Sequence, residues 1–232
     1  MPDDSTITKV QGREIPYRLT RTRRRTLGLS VTESGVRVNV PKWVTQAEID
    51  RFLQERIDWL LKNLDKIEQT RREQPELRDG ENVFFLGVPL KIRAAPCLFP
   101  DIRRNGRMLW ASVPHTDEVP ELVKSWLKIR AERMLRKRLL HFARKQGGRI
   151  PEFALSDART QWGICHPDGR IRLNWRLIQA PVSIIDYVAA HEVAHLLHLD
   201  HSRQFWAQVE SLCPDAKTAR EWLDRHGHKL MI

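Results

Sequence analysis

The chain is short of cysteine, of acidic charge and of long apolar runs, and each shortage excludes something. Its three cysteines, Cys97, Cys165 and Cys213, are odd in number and widely spaced in 232 residues. That distribution argues against a disulfide framework and suits reduced thiols in a cytoplasm. No stretch approaches the roughly 20 consecutive apolar residues of a membrane-spanning helix, so no membrane partner is expected. Residues 1–10 contain no apolar segment of the secretory kind, and a cytoplasmic location is the expectation. No Gly-rich GxxxxGK[ST] loop is present to cradle nucleotide phosphates. Internal repeats and low-complexity tracts are also missing.

Acidic residues number 29 against 40 Lys and Arg, for a net charge of +11. Such an excess favours polyanions. The cations gather in Arg21-Thr22-Arg23-Arg24-Arg25 and from Lys128 to Lys145. A solvated helix face and a basic strand edge explain the same runs, and no recognised nucleic-acid motif accompanies them. Nucleic acid or nucleotide held by these clusters is therefore one candidate partner, beside a protein or peptide substrate.

With 41% hydrophobic residues the chain can bury one good core or two small ones. The first part reads as short strands, Thr6–Val10, Ile15–Leu19, Thr26–Val31 and Val36–Val40, separated by turn signals at Gln11-Gly12 and Ser34-Gly35. A helix follows, opened by a capping box at Thr45 and Glu48 and carrying Ile49, Phe52, Leu53, Ile57, Leu60, Leu61 and Leu64 on one stripe. Trp59 is expected to pack on this helix. Gln69 to Gly80 is the first plausible linker. Strands resume at Val83–Leu86, Pro89–Ala94 and Met108–Val113, with a hairpin turn at Asn105-Gly106.

A long helix is predicted from about Asp117 to Gln146, with Leu122, Val123, Trp126, Leu127, Met134 and Leu135 inward and Gly147-Gly148 ending it. Strands around Phe153–Arg159 and Arg170–Trp175 are expected to pair through the turn His166-Pro167-Asp168-Gly169. Two further helices are expected at Ser202–Leu212 and Asp215–His226. The expected class is α+β: a β-rich amino-terminal domain with one helix over 1–115, then a compact zincin-like domain over 116–232.

The most informative stretch is His191-Glu192-Val193-Ala194-His195. Before it, Ile184, Ile185, Val188 and Ala189 have the spacing of a buried helical stripe. Pro181 or Ser183 marks the start. On a helix, residues four apart share a face, so both imidazoles can reach one metal ion. Glu192 then stands beside them as a base that is not a ligand. Zinc lowers the pKa of a coordinated water towards about 7, so the chain has the parts of a metal-dependent hydrolase.

A catalytic zinc usually takes a third protein ligand. The candidates are His198, Asp200, His201 and Glu210. His201 lies six residues after His195, the interval of the metzincin motif, although His198 stands where those enzymes place Gly. This expectation has the helix running to about Leu199 and reversing at Asp200. Cys165 would close the site as a fourth ligand and is read instead as a small buried side chain.

The words Trp162-Gly163-x-Cys165, Leu173-Asn174-Trp175-Arg176-Leu177, Ala180-Pro181, Asp186-Tyr187-Val188, His191-Glu192-x-Ala194-His195-Leu196 and His201-Ser202-x-x-Phe205-Trp206 occur in this order. On them the chain resembles the YgjP-like metallopeptidase family, which is related to the SprT-like and WLM metalloproteases. The resemblance is strongest from about Arg159 to Gly227. It implies zinc on His191, His195 and His201, with Glu192 as general base. Relatives typically carry Ser-Arg-Trp-Gly-Ser-Cys where this chain has Thr160-Gln161-Trp162-Gly163-Ile164-Cys165, a difference that bears on substrate preference.

The expected activity is peptide hydrolysis in a cleft between the metal helix and the strand carrying Arg159 to Gly163. His166, Arg172 and Tyr187 are candidates to stabilise the oxyanion. Trp162 is read as cleft wall or core, and Trp206 as core behind His201. Rival readings are a nucleoside triphosphate pyrophosphatase, a nucleic-acid-associated SprT-like protease, and an adaptor that keeps zinc for structure. Glu192 argues against the adaptor, because a structural site needs no base.

Overall fold

Val36, Val38 and Val40 alternate with Arg37 and Asn39 and bury their side chains completely or nearly so, as a strand covered on one face requires. They belong to the first of two units, Met1–Glu73 and Gln74–Ile232, into which the chain divides. The computed structural model describes residues 5–10, 13–23, 25–32, 35–73 and 76–232. The turn signals at Gln11-Gly12 and Ser34 lie outside them.

The first unit holds β1 (Ser5–Val10), β2 (Arg13–Thr22), β3 (Gly28–Thr32) and β4 (Gly35–Pro41) in the order β1-β2-β4-β3. β2 and β4 are parallel and the outer pairs antiparallel. The capping box forms as expected: the Thr45 N–H donates to Glu48 Oε2 at 2.7 Å, and the Glu48 N–H to Thr45 Oγ1. The helix it opens is broken at Arg56 into α1 (Gln46–Glu55) and α2 (Ile57–Glu73). Ile49, Leu53 and Leu60 complete the core of this unit with the valines of β4. Trp59 does not join it. It is 47% exposed, because the neighbouring Leu60 takes the inward position.

In the second unit β5 (Asn82–Phe85), β6 (Val88–Pro96), β7 (Asp101–Asn105) and β8 (Met108–Val113) form a sheet in the order β5-β6-β8-β7. One face carries Val83, Leu90, Ile92, Leu109 and Ala111 into a core shared with Val123, Trp126, Leu127 and Leu135 of α3 (Val119–Gln146). A domain boundary at 115/116 would cut through that shared core. The division at 73/74 replaces it, inside the stretch whose polarity suggested a linker. Gly147 ends α3 with φ 76°, a left-handed conformation that costs glycine little.

The third sheet corrects a pairing. β9 (Phe153–Ser156), β10 (Gly163–Cys165) and β11 (Ile171–Asn174) lie in the order β10-β11-β9. β9 pairs parallel with β11, while the Pro-Asp-Gly turn joins β10 to β11 as the hairpin. The cause is Asn174, whose buried amide donates to the carbonyls of Ala158 at 2.6 Å and Gln161 at 3.3 Å. Those bonds hold the loop that carries the chain past β11, so β10 returns on the far side as an edge strand. Trp175 to Gln179 then forms a 3-10 turn, followed by α4 (Val182–Ala194), α5 (Arg203–Leu212) and α6 (Ala216–His226). The α+β class stands. Among the described residues, no helix is long and apolar enough to cross a membrane.

α3 is the scaffold of this unit. Arg138 pairs with Asp186 in the second turn of α4, with Nη2 to Oδ2 at 2.8 Å. Gln146 donates to the Val193 carbonyl at 3.0 Å and accepts from Gln208 of α5 at 3.0 Å. Lys145 donates to the Leu212 carbonyl at 2.9 Å, at the end of α5. Leu127 lies on the inward face of α3 and is fully buried. Leu127→Ala is expected to destabilise the second unit by about 2–5 kcal/mol, read as a lowered urea midpoint for amides of α3 and α4 in hydrogen exchange.

Candidate metal centre

α4 places its two histidines by period and its third partner by stopping. His191 and His195 are four apart, with ring centroids 4.9 Å apart. The helix ends at Ala194, earlier than the expected run to about Leu199, and His195 is its cap. The following turn is tight: the Leu196 N–H donates to the Val193 carbonyl and the Leu197 N–H to that of Ala194. It swings the His198 carbonyl back to 2.9 Å from His195 Nδ1. A carbonyl only accepts, so Nδ1 carries the proton and Nε2 keeps its lone pair. Ser202 then caps α5, accepting from the Phe205 N–H, and His201 sits just before that cap.

His201 thereby joins the other two. Ligand-capable atoms of His191, His195 and His201 all lie within 4.8 Å of one another. The Nε2 atoms of His191 and His201 are 3.3 Å apart. Two nitrogens on a tetrahedral zinc at about 2.05 Å each would be separated by about 3.3–3.4 Å. The other candidates stay out of the group: His198 contributes its carbonyl, and Asp200 accepts from the Ser202 N–H. Glu210 is exposed on α5. An all-imidazole set of this size fits a zinc-like divalent ion. Burial, then the neighbouring His195, His201 and Arg220, push His191 down to about 3; burial also lowers His195.

Phe205 is the floor of the cluster. It is fully buried, with its ring 4.4 Å from His195, 4.8 Å from His201 and 4.9 Å from His191. The sequence reading gave the supporting role to Trp206, which is partly exposed and lies alongside His201 at 5.9 Å. Only the spacing of the α5 stripe could have singled out Phe205.

Glu192 points into the unit, 5% exposed. Burial is the main cause that pushes its carboxyl up to about 8, while the Cys165 N–H bonds to it and acts the other way. β10 lies directly against it: a Cβ on Gly163 would meet Glu192 Oε1 at 2.4 Å. Only a residue without a side chain allows that approach. Gly163 is thus a site residue that the sequence reading quoted without assigning it a role. Cys165 behaves as the small buried thiol expected, pushed up to about 11 by burial and by Glu192 and Asp168.

Two cavities flank the cluster. One of about 190 Å³ is lined by Trp162, Gly163, Tyr187, Val188, His191, Glu192 and Leu223, so Trp162 is a cleft wall. The other, of about 470 Å³, runs past His195, His166, Arg149 and Leu196. Of the expected oxyanion candidates, Tyr187 lines the first and His166 the second. Arg172 lines neither. Arg220, one turn before Leu223 on α6, stacks its guanidinium on Trp206 at 5.2 Å and was not foreseen.

A model of the YgjP-like metallopeptidase domain matches residues 25–226. The chain belongs to the YgjP-like metallopeptidase family. It is a hydrolase of the metallopeptidase kind, a class that works with a divalent metal. Among solved structures, the metallopeptidase zymogen of Pyrococcus abyssi abylysin is similar, at 25% identity over 39% of this chain and 90% of that one, with a TM-score of 0.35. A search of curated proteins returns no match.

The two desolvated groups predict how the chelator-treated protein responds to pH. Between about 3 and 6.5 the unfolded chain carries a proton on His191 that the folded chain lacks, so stability falls as pH drops through that range. Between 4.5 and about 8 the folded chain carries a proton on Glu192 that the unfolded chain lacks, so stability falls as pH rises. The opposing slopes cancel where the ranges overlap. This pair's contribution to stability is expected to be greatest, and level, between pH 4.5 and 6.5. Glu192→Gln should abolish the alkaline fall and turn the level region into a continued rise up to about pH 6.5. Urea midpoints against pH check it, and an undiminished alkaline fall in that variant would refute it.

Proposed function

We propose that the chain is a zinc-dependent peptidase in which His191, His195 and His201 hold the ion and Glu192 is the general base. The observation that carries this reading is the meeting of three imidazoles beside a buried carboxyl group that opens onto a cavity. When bound, a zinc ion would supply Lewis acidity at the scissile carbonyl and a positive charge that favours the ionised form of Glu192.

The chain's own residues do the rest. His198 fixes the tautomer of His195 through its carbonyl, so the Nε2 lone pair faces the other two rings. Phe205 fixes the planes of all three rings from below. An extended peptide adds to the edge strand β10 through main-chain hydrogen bonds, which give affinity with little sequence preference. Glu192, held by the Cys165 N–H, takes the proton of the attacking water on a carboxylate oxygen. It then delivers that proton to the leaving amine nitrogen.

Glu192 lines the 190 Å³ cavity, so the residue bearing the leaving amine sits there. The walls Trp162, Val188 and Leu223 suit one apolar side chain, in a space comparable to a cavity of about 150 Å³ that holds benzene.

Zinc content and turnover of quenched peptides and unfolded casein test this together. Glu192→Gln should keep zinc and lose about 10²–10⁴ in turnover. Gly163→Ala should also keep zinc but lose roughly 10²-fold, because a misplacement of about 1 Å is that costly. His201→Ala should lose zinc, and full zinc in it would refute the ligand set. Pyrophosphate release from nucleoside triphosphates without peptide cleavage would replace the peptidase reading with a phosphohydrolase.

A further inference from the structure

The outward face of the β5–β8 sheet takes no part in the metal centre. Strand alternation sends Val83, Leu90, Ile92, Leu109 and Ala111 into the core, so the residues between them face solvent. The register then builds a row across three strands. Arg93 of β6 pairs with Trp110 of β8, and Trp110 pairs with Arg103 of β7. Adjacent strands are about 4.8 Å apart, so the indole stands between two guanidinium-bearing side chains. One step along, Lys91 pairs with Met108.

Trp110 is 46% exposed. Among the described residues, no ring or guanidinium stacks on it. Lys91 and Arg93 form no ion pair among the described residues, while Arg103 pairs at the surface with Asp101 at 2.7 Å. Asp101 is the only acidic residue at the outward positions of these four strands. The face is therefore cationic around an uncovered aromatic plane.

We propose that this face binds single-stranded nucleic acid, with a base stacked on Trp110 and Lys91, Arg93 and Arg103 holding the flanking phosphates. An aromatic ring on an open sheet reaches a base only when that base is unstacked, which selects single strands over duplexes. Stacking on a ring is tolerant of base identity, and cations along a groove track the backbone. The net charge of +11 draws any polyanion towards the chain. An acidic peptide would satisfy the cations but offers no flat partner for the indole.

The test is fluorescence anisotropy of the full chain with a labelled 20-mer of thymidine, free or annealed to its complement, over a range of salt. The single strand should bind more tightly than the duplex. Trp110→Ala should weaken binding about 5- to 100-fold, and Trp110→Phe should restore most of it. The pair Arg93→Ala with Arg103→Ala should reduce the salt slope by about 1.4, at about 0.7 per phosphate contact. Unchanged thermal midpoints show that the variants are folded. Equal binding by Trp110→Ala and wild type, a preference for duplex, or tighter capture of polyglutamate than of the oligonucleotide would each overturn the proposal. So would the absence of binding at about 100 μM protein.

Discussion

Three imidazoles from one short stretch of chain can meet only if the helix carrying the first two stops beneath the second. Had α4 run on to Leu199, His198 would have continued the helical face and His201 would have been carried away from it. Instead the Val193 carbonyl is taken by the Leu196 N–H and by Gln146 of α3, and the chain turns. The turn leaves Leu197 and Leu199 in solvent, an apolar exposure that a longer helix would have had no reason to create. What offsets it is the closed circuit from His195 to the His198 carbonyl, and from Asp200 to the Ser202 N–H. That circuit returns His201 to the start of α5.

The second constraint is electrostatic. A carboxylate buried away from water is costly unless it is paired or close to a cation. Among the described residues, Glu192 has one backbone N–H and no cationic side chain to answer it, and the buried Nδ1 of its neighbour His191 has no hydrogen-bond partner. A protein selected for stability alone would place Gln or Leu at residue 192. β10 lies so close that Gly163 leaves no room for a side chain beside the Glu192 carboxyl group. Perturbed groups of this kind cluster at functional sites.

Local chemistry in the sequence was enough to place most elements. The capping box, the alternation of β4, the inner stripe of α3 and the Gly147 stop each depend on neighbours within a turn or two, and each stands in the structure. Three failures share a different cause. The expected β9–β11 pair forms, but its parallel direction depends on Asn174 reaching carbonyls 13 and 16 residues earlier. The exposure of Trp59 depends on which face of α2 its own unit covers. The early end of α4 depends on Gln146, 47 residues away. The motif was legible because helical period alone aligns His191 with His195. The roles of Gly163, Phe205 and Arg220 were not, because each is defined by what lies across from it.

The family match begins at residue 25, yet the imidazole cluster, Glu192 and the walls of the 190 Å³ cavity all lie between Trp162 and Leu223. The long helix α3 contributes no member of the cluster, but it holds the helices α4 and α5 that flank it. Arg138 sets the axial position of α4 through Asp186, and Gln146 holds the carbonyl at which that helix ends. Shifting either contact by one helical turn would move His191 by about 5.4 Å along the axis, further than the 4.8 Å that spans the whole cluster. The geometry of the cluster therefore depends on contacts from a helix that carries none of its three histidines.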